Sequence, residues 1–163
     1  MDILQFLEKG GTIVYILIIL NIIGFTVIFM ELSNLYTFKK NLHITVNELL
    51  EKVKNNHEDL LEMLIQQKIK KLEFGLNTIK IIATISPLLG LLGTVIGIFI
   101  SFDEISKVGL DDPMNFSGGI SLALITTIVG LVVSIPHYIF YNYFIGTLDN
   151  MEMALKSEVL EKL

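Results

Sequence analysis

The hydroxyls of Thr94, Thr126 and Thr127 and the imidazole of His137 are hydrogen-bonding groups set in long stretches without a charged residue. A hydroxyl both donates and accepts hydrogen bonds, so it can line a polar path without carrying charge. An imidazole can take up a proton near neutral pH. The spacing around the threonines is regular. At about 100° per residue, Ser86, Gly90, Gly93, Thr94, Gly97 and Ser101 fall within roughly one third of a helix circumference. Gly119, Ala123, Thr126, Thr127, Gly130 and Ser134 repeat the pattern within about 100° on a second helix. Lipid has no use for such small, mildly polar faces. Close packing against other helices, or the wall of a pore, does.

The elements that carry these faces must cross a bilayer. Ile81 to Phe102 is an uncharged run of 22 residues, Gly10 to Met30 one of 21, and Pro113 to Leu148 one of 36. About 20 apolar residues span the hydrocarbon core as a helix. The chain of 163 residues is 52% hydrophobic, too apolar for an ordinary soluble domain of this size. The expected fold is therefore an all-α integral membrane protein with three transmembrane helices and long cytoplasmic helical extensions. The residues before the first run include Asp2, Glu8 and Lys9 and no basic cluster, so that run reads as a retained span and not a secretory signal.

Composition excludes several other functions. The net charge is −5 and every basic residue is Lys, which gives no basic stripe for nucleic acid. Cysteine is absent, and His43, His57 and His137 lie too far apart for metal-ligand spacing. No Ser-His-Asp set or phosphate loop appears. Gly90-x-x-Gly93 lies within a span and lacks the lysine of a phosphate loop. An enzyme is not expected, nor a cofactor.

Lysine placement sets the expected orientation. Glu31 to Lys80 carries eight Lys, whereas Asp103 to Met114 carries only Lys107 among Asp103, Glu104, Asp111 and Asp112. The positive-inside rule puts the long loop and the C-terminus in the cytoplasm and the N-terminus outside. The chain then divides into an outer N-terminus with span one (1–31), a cytoplasmic helical segment (32–80), span two (81–102), a short acidic outer loop (103–116), span three (117–145) and a cytoplasmic helical tail (146–163). Gly10-Gly11 reads as a break before span one. Leu42, Val46, Leu49, Leu50 and Val53, then Leu60, Leu61, Leu64, Ile65, Ile69, Leu72 and Leu76, predict two amphipathic helices, with Asn56 an N-cap between them. The second is expected to run unbroken into span two. Asp112 and Pro113 predict the start of span three, as N-cap and first helical residue. Ala154, Leu155, Val159 and Leu160 predict its amphipathic extension. At 1.5 Å per residue, Thr94 lies about 12 Å and Thr127 about 15 Å below the outer ends of their spans, so the two share a membrane layer on facing surfaces.

These residues resemble the ExbB/TolQ/MotA proton-channel family, most closely its three-span ExbB/TolQ branch. The resemblance is carried by Ser86-Pro-Leu-Leu-Gly-Leu-Leu-Gly-Thr-Val-Ile-Gly97, by Gly119-Ile-Ser-Leu-Ala-Leu-Ile-Thr-Thr-Ile-Val-Gly-Leu131, and by Ser134-Ile-Pro136 followed by Tyr141-Asn142. Gly10-Gly11 and Glu31 match more weakly. The resemblance implies a homopentamer whose second and third spans line a central pore. It also implies an ExbD/TolR-like single-span partner supplying a membrane Asp, and a TonB/TolA-like energy-coupling protein. The assembly would use the proton motive force at the bacterial inner membrane to energise outer-membrane transport or an envelope-maintenance system. By motif position Thr94 and Thr127 match the family's pore-facing threonines, and Pro87 and Pro136 its span-two and span-three prolines. One position departs: where ExbB-type proteins commonly carry Glu in span three, this chain has Leu122. No Asp or Glu lies inside a predicted span, so for a proton path this chain offers hydroxyls and His137 but no carboxylate relay, which strengthens the dependence on a partner's Asp.

Each residue also has a plainer reading. Thr94 and Thr127 could only bond the carbonyl one turn back, and Thr126 could be a packing residue. Gly90, Gly93, Gly97, Gly119 and Gly130 are expected to serve close helix packing, which in a ring of subunits builds the pore wall. Pro87 and Pro136 are either tolerated kinks or hinges. His137 is either an interfacial side chain reaching water or a proton exit. Glu31 either marks the membrane boundary or pairs with a lysine or a neighbouring subunit. A four-span flagellar stator of the MotA type fits poorly, with about 50 inner residues here. A passive scaffold that clusters membrane partners is the remaining rival.

Overall fold

The computed structural model describes residues 3–53, 58–109 and 113–162, and their regular structure is entirely helical. In chain order the helices are α1 (Ile3–Lys9), α2 (Gly11–Lys40), α3 (Leu42–Val53), α4 (Glu58–Leu72), α5 (Leu76–Val108) and α6 (Met114–Lys162). Three of them, α2, α5 and α6, are long and apolar enough to cross a membrane. Each continues past its uncharged run, so the helix ends and the hydrophobic limits do not coincide. Charged residues end burial in lipid, but they are good helix formers and do not end a helix.

Local chemistry sets the breaks. Gly11 has φ +61°, a left-handed conformation that side chains rarely adopt, and it separates α1 from α2 where Gly10-Gly11 predicts a break. The two amphipathic helices appear as α3 and α4, and the N-cap assigned to Asn56 lies outside the described residues. The expected unbroken passage from α4 into α5 is not what the chain does. Residues 73–75 form a turn, in which the Gly75 carbonyl accepts hydrogen bonds from the N–H groups of Thr78 and Ile79 and so begins α5. Leu72 and Leu76, one helical turn apart, carry the apolar spacing across the break and conceal it.

Two further boundaries also differ, one by nearly two helical turns and one by a single residue. The segment from Asp103 is not a loop at first: α5 runs on to Val108 and stops at Gly109, whose φ is +78°. Lys107 pairs there with Asp103 (2.5 Å) and lies 3.9 Å from Glu104, so part of the acidic charge is neutralised within the helix. Asp112 lies outside the described residues. Pro113 precedes α6 instead of opening it, since its carbonyl accepts the first helical hydrogen bond, from Ser117 N–H.

The chain forms two compact units. The first comprises Met1–Phe25 and Lys80–Tyr138. Leu17 of α2, Ile82 of α5 and Val133 of α6 centre its core, with Ile13, Leu20, Leu89 and Val129 packed around them. Its outward surface is apolar: Leu88, Leu91, Val95, Phe99, Leu124 and Val132 are all exposed. Such a surface suits lipid or another membrane chain. The second unit comprises Thr26–Ile79 and Ile139–Leu163. Val46 and Leu49 of α3, Leu61, Ile65 and Ile69 of α4, and Leu155 and Val159 of α6 are buried in it. Around them Lys156 bonds Glu62 (3.0 Å), His43 bonds Glu158 (2.8 Å) and Lys68 bonds Glu48 (2.8 Å). These pairs are solvated and add little stability next to the apolar contacts beneath them.

Candidate functional site

The small faces of α5 and α6 pack on each other within one chain. Ser86, Gly90, Gly93, Gly97 and Ser101 are buried against buried Gly119, Ala123, Thr126, Gly130 and Ser134. The approach leaves no room for a methyl group. A Cβ on Gly97 would lie 2.4 Å from the Gly119 carbonyl oxygen, and a Cβ on Gly119 would lie 2.4 Å from that of Gly97. On Gly130 it would meet the Ser86 carbonyl at 2.7 Å, and on Gly90 the Thr126 carbonyl at 2.9 Å. Real Cβ atoms do not sit this close to backbone, so glycine is what permits the contact.

Thr94 and Thr127, which the depth estimate places in one membrane layer, touch. Their hydroxyl oxygens are 2.5 Å apart and both residues are half-buried. Each hydroxyl also reaches both neighbouring carbonyls. Thr94 Oγ1 lies 3.2 Å from Gly90 O in its own helix and 3.2 Å from Ala123 O across the interface. Thr127 Oγ1 lies 3.2 Å from Ala123 O and 3.5 Å from Gly90 O. Two protons thus serve two hydroxyls and two carbonyls. One threonine can donate to the other, which then donates to a carbonyl, and the reverse arrangement uses the same atoms. The bond to the carbonyl one turn back exists for both residues, but it is only one arm of this cross-helix set. Thr126 differs. It is fully buried, its hydroxyl bonds Leu122 O and Ala123 O at 3.0 Å each, and it sits over Gly93, where a Cβ would come 2.3 Å from Oγ1.

Pro87 and Pro136 both lie inside unbroken helices. Proline has no N–H, so Pro87 leaves the carbonyl of Ala83 without its intrahelical donor. The Ser134 hydroxyl of α6 fills that vacancy, bonding Ala83 O at 2.5 Å. Sequence alone places Ser134 on the small face, but this bond depends on which residue α6 brings opposite Pro87. Four residues before a membrane proline is where to look for such an acceptor.

His137 is not brought to the threonines, nor to water. It is fully buried, so the reading of an interfacial imidazole reaching solvent is corrected. Nδ1 lies 2.7 Å from Val133 O, while Nε2 has no hydrogen-bond partner. The ring meets Phe25 of α2 at 5.2 Å in an edge-on arrangement and fills the space over Gly24. Helical phase points His137 toward the small-residue face; the closely packed α2 glycine turns out to be its neighbour. Leu122, at the position where the resemblance leads one to look for Glu, is half-buried, and its side chain is near Gly11.

Glu31 is bonded within its own chain, at the start of α5. It is 4% exposed and accepts hydrogen bonds from the Gly75 backbone and the Asn34 side chain. A carboxylate there complements the positive N-terminal end of α5. Gly75 makes this possible, since a Cβ would lie 2.2 Å from Glu31 Oε1.

These features define a multi-pass helical membrane protein in which two spans are joined by small residues around a pair of hydroxyls. The chain belongs to the MotA/TolQ/ExbB proton channel family, whose model matches residues 33–157. It is similar to a biopolymer transport ExbB homologue of Methanothermobacter thermautotrophicus, 37% identical over 106 residues, which are 65% of this chain and 37% of that protein. It is also similar to the biopolymer transport protein ExbB of Aquifex aeolicus, 40% identical over 76 residues (47% of this chain, 51% of the relative). A third relative is biopolymer transport protein exbB1 of Vibrio cholerae, 34% identical over 84 residues (51% and 37%). The matched regions span between about a third and a half of these relatives' lengths.

Proposed function

We propose that this chain is an ExbB-like proton-channel subunit of a bacterial inner membrane that turns the proton motive force into mechanical work. In this reading several copies, five by the family resemblance, surround a central passage with α5 and α6 turned toward it. A single-span partner of the ExbD/TolR type supplies the carboxylate that carries the proton. A TonB/TolA-like protein takes the motion onward to outer-membrane transport. The N-terminus and the Lys107 end face the periplasm, and residues 32–80 and 146–163 lie in the cytoplasm.

The observation that carries the reading is the Thr94–Thr127 pair, two half-buried hydroxyls in contact within stretches that hold no Asp or Glu. Such a pair can donate to, or accept from, a carboxylate presented by another chain. It can reverse its own hydrogen bonds as that carboxylate gains or loses a proton. The names of the relatives support the transport role, as does membership of a proton channel family.

The test is a Thr94→Val/Thr127→Val double variant, reconstituted with its single-span partner in vesicles carrying a proton gradient. Valine keeps the shape and removes the hydroxyl. Proton uptake is expected to fall about tenfold or more, the factor that ~1.4 kcal/mol on a barrier represents. Native mass spectrometry is expected to give the same assembly as the parent. Undiminished uptake in an intact assembly would sink the proposed role of the pair. A complex that never conducts protons, with or without the substitutions, would favour a passive scaffold.

A further inference from the structure

His137 is a buried, ionisable side chain that the proposed channel reading does not use. Its surroundings fix its protonation pattern. The Val133 carbonyl, 2.7 Å from Nδ1, can only accept, so Nδ1 carries the hydrogen. Nε2 is then a bare lone pair. It is buried and without a partner, the Gly24 backbone lies against it, and the Phe25 ring packs edge-on with the imidazole. Burying an unpaired polar atom is unfavourable, and an apolar side chain would fill the same volume without that cost. The fit to the imidazole is close: a Cβ on Gly24 would stand 1.9 Å from Nε2 and 2.4 Å from Cδ2.

We propose that His137 is a proton-binding site within the membrane part of this chain, and that taking up a proton at Nε2 loosens the contact of α6 with α2 at Gly24 and Phe25. The reaction is neutral imidazole plus a proton from water giving imidazolium, with no bond broken. The new N–H needs an acceptor. Phe25 offers a π system but no lone pair, and the Gly24 backbone is engaged in its own helix. A charged ring at this place must therefore admit water or shift the helices apart. On the two helices that meet here, the ionisable groups nearest to the contact along each chain segment are Glu31 on α2 and Tyr138 and Tyr141 on α6. None of them is bonded to Nε2. This inference goes beyond the channel reading and rests on the packing of a single chain, so it can fail while that reading stands.

The test uses the full chain in lipid nanodiscs with His43→Gln and His57→Gln, leaving His137 as the one histidine. Nitrogen-15 NMR is expected to show a neutral ring with hydrogen on Nδ1 at about pH 8 and a doubly protonated ring as pH is lowered toward about 4. Spin labels at Ile23→Cys and Val132→Cys, both exposed, report the separation of α2 and α6. That separation is expected to widen along the same titration curve, and in His137→Phe it is expected not to change with pH. A ring that stays neutral throughout, or that titrates while the labels remain at one distance, would overturn the proposal. Where His137→Phe fails to fold, the unsubstituted ring and the labels decide alone.

Discussion

At the scale of single residues, glycine identity separates positions that look alike in the sequence. Gly118 and Gly119 are neighbours, yet a methyl on Gly119 would strike the Gly97 carbonyl at 2.4 Å, whereas nothing lies within 4 Å of one on Gly118. Gly119→Ala and Gly97→Ala are expected to destabilise the fold by about 1–3 kcal/mol, because the obstacle is backbone that cannot rotate away. Gly118→Ala and Gly146→Ala are expected to leave stability unchanged or to raise it by up to about 1 kcal/mol through helix propensity. Reversible unfolding in mixed micelles compares the four. The crowded face was legible in the periodic placing of Ser86, Gly90, Gly93, Thr94 and Gly97. His137 was not legible in the same way. A helical wheel gives its angle on α6, but not that a glycine of α2 leaves a gap of its size.

At the scale of elements, two long-range bonds complete helices that their own sequences leave incomplete. Ser134 closes the gap that Pro87 opens at Ala83, which predicts a coupling between the two residues. Ser134→Ala is expected to cost about 1–2 kcal/mol beside Pro87, by stranding a buried carbonyl. Beside Pro87→Ala it is expected to cost much less, since residue 87 then donates its own N–H. A double-mutant cycle on thermal stability reads the difference. Glu31 acts likewise at the start of α5. Glu31→Ala is expected to cost about 1 kcal/mol and to speed hydrogen exchange at Gly75, with Glu31→Gln recovering part of the protection. The break at 73–75 escaped the periodic pattern because Leu72 and Leu76 suit a continuous helix. Its signal was Gly75, and its partner Glu31 stands 44 residues earlier in the chain. Apolar spacing therefore revealed which helices exist, while bonds between distant residues decided where one of them stops.

At the scale of the whole molecule, the proposed orientation can be read directly because the chain has no cysteine of its own. Lys107→Cys, near the end of α5, is expected to react with a membrane-impermeant maleimide added to cells whose outer membrane has been opened. Lys156→Cys, on the far part of α6, is expected to react only once the inner membrane is also breached. The reverse labelling would invert the proposed topology. The three long apolar helices were legible from uncharged length alone, while the proposed orientation rests on the lysine count. The seating of α5 on α6 was legible as two small faces turned toward each other, with Thr94 and Thr127 at one depth. That seating has a mechanical meaning. Where a methyl would not fit and a serine of one helix stops a carbonyl of the other, two rods have no play between them. They move as one stave. In a barrel of such staves, give would be found at the seams between neighbours and around whatever turns in the middle, not within the wood.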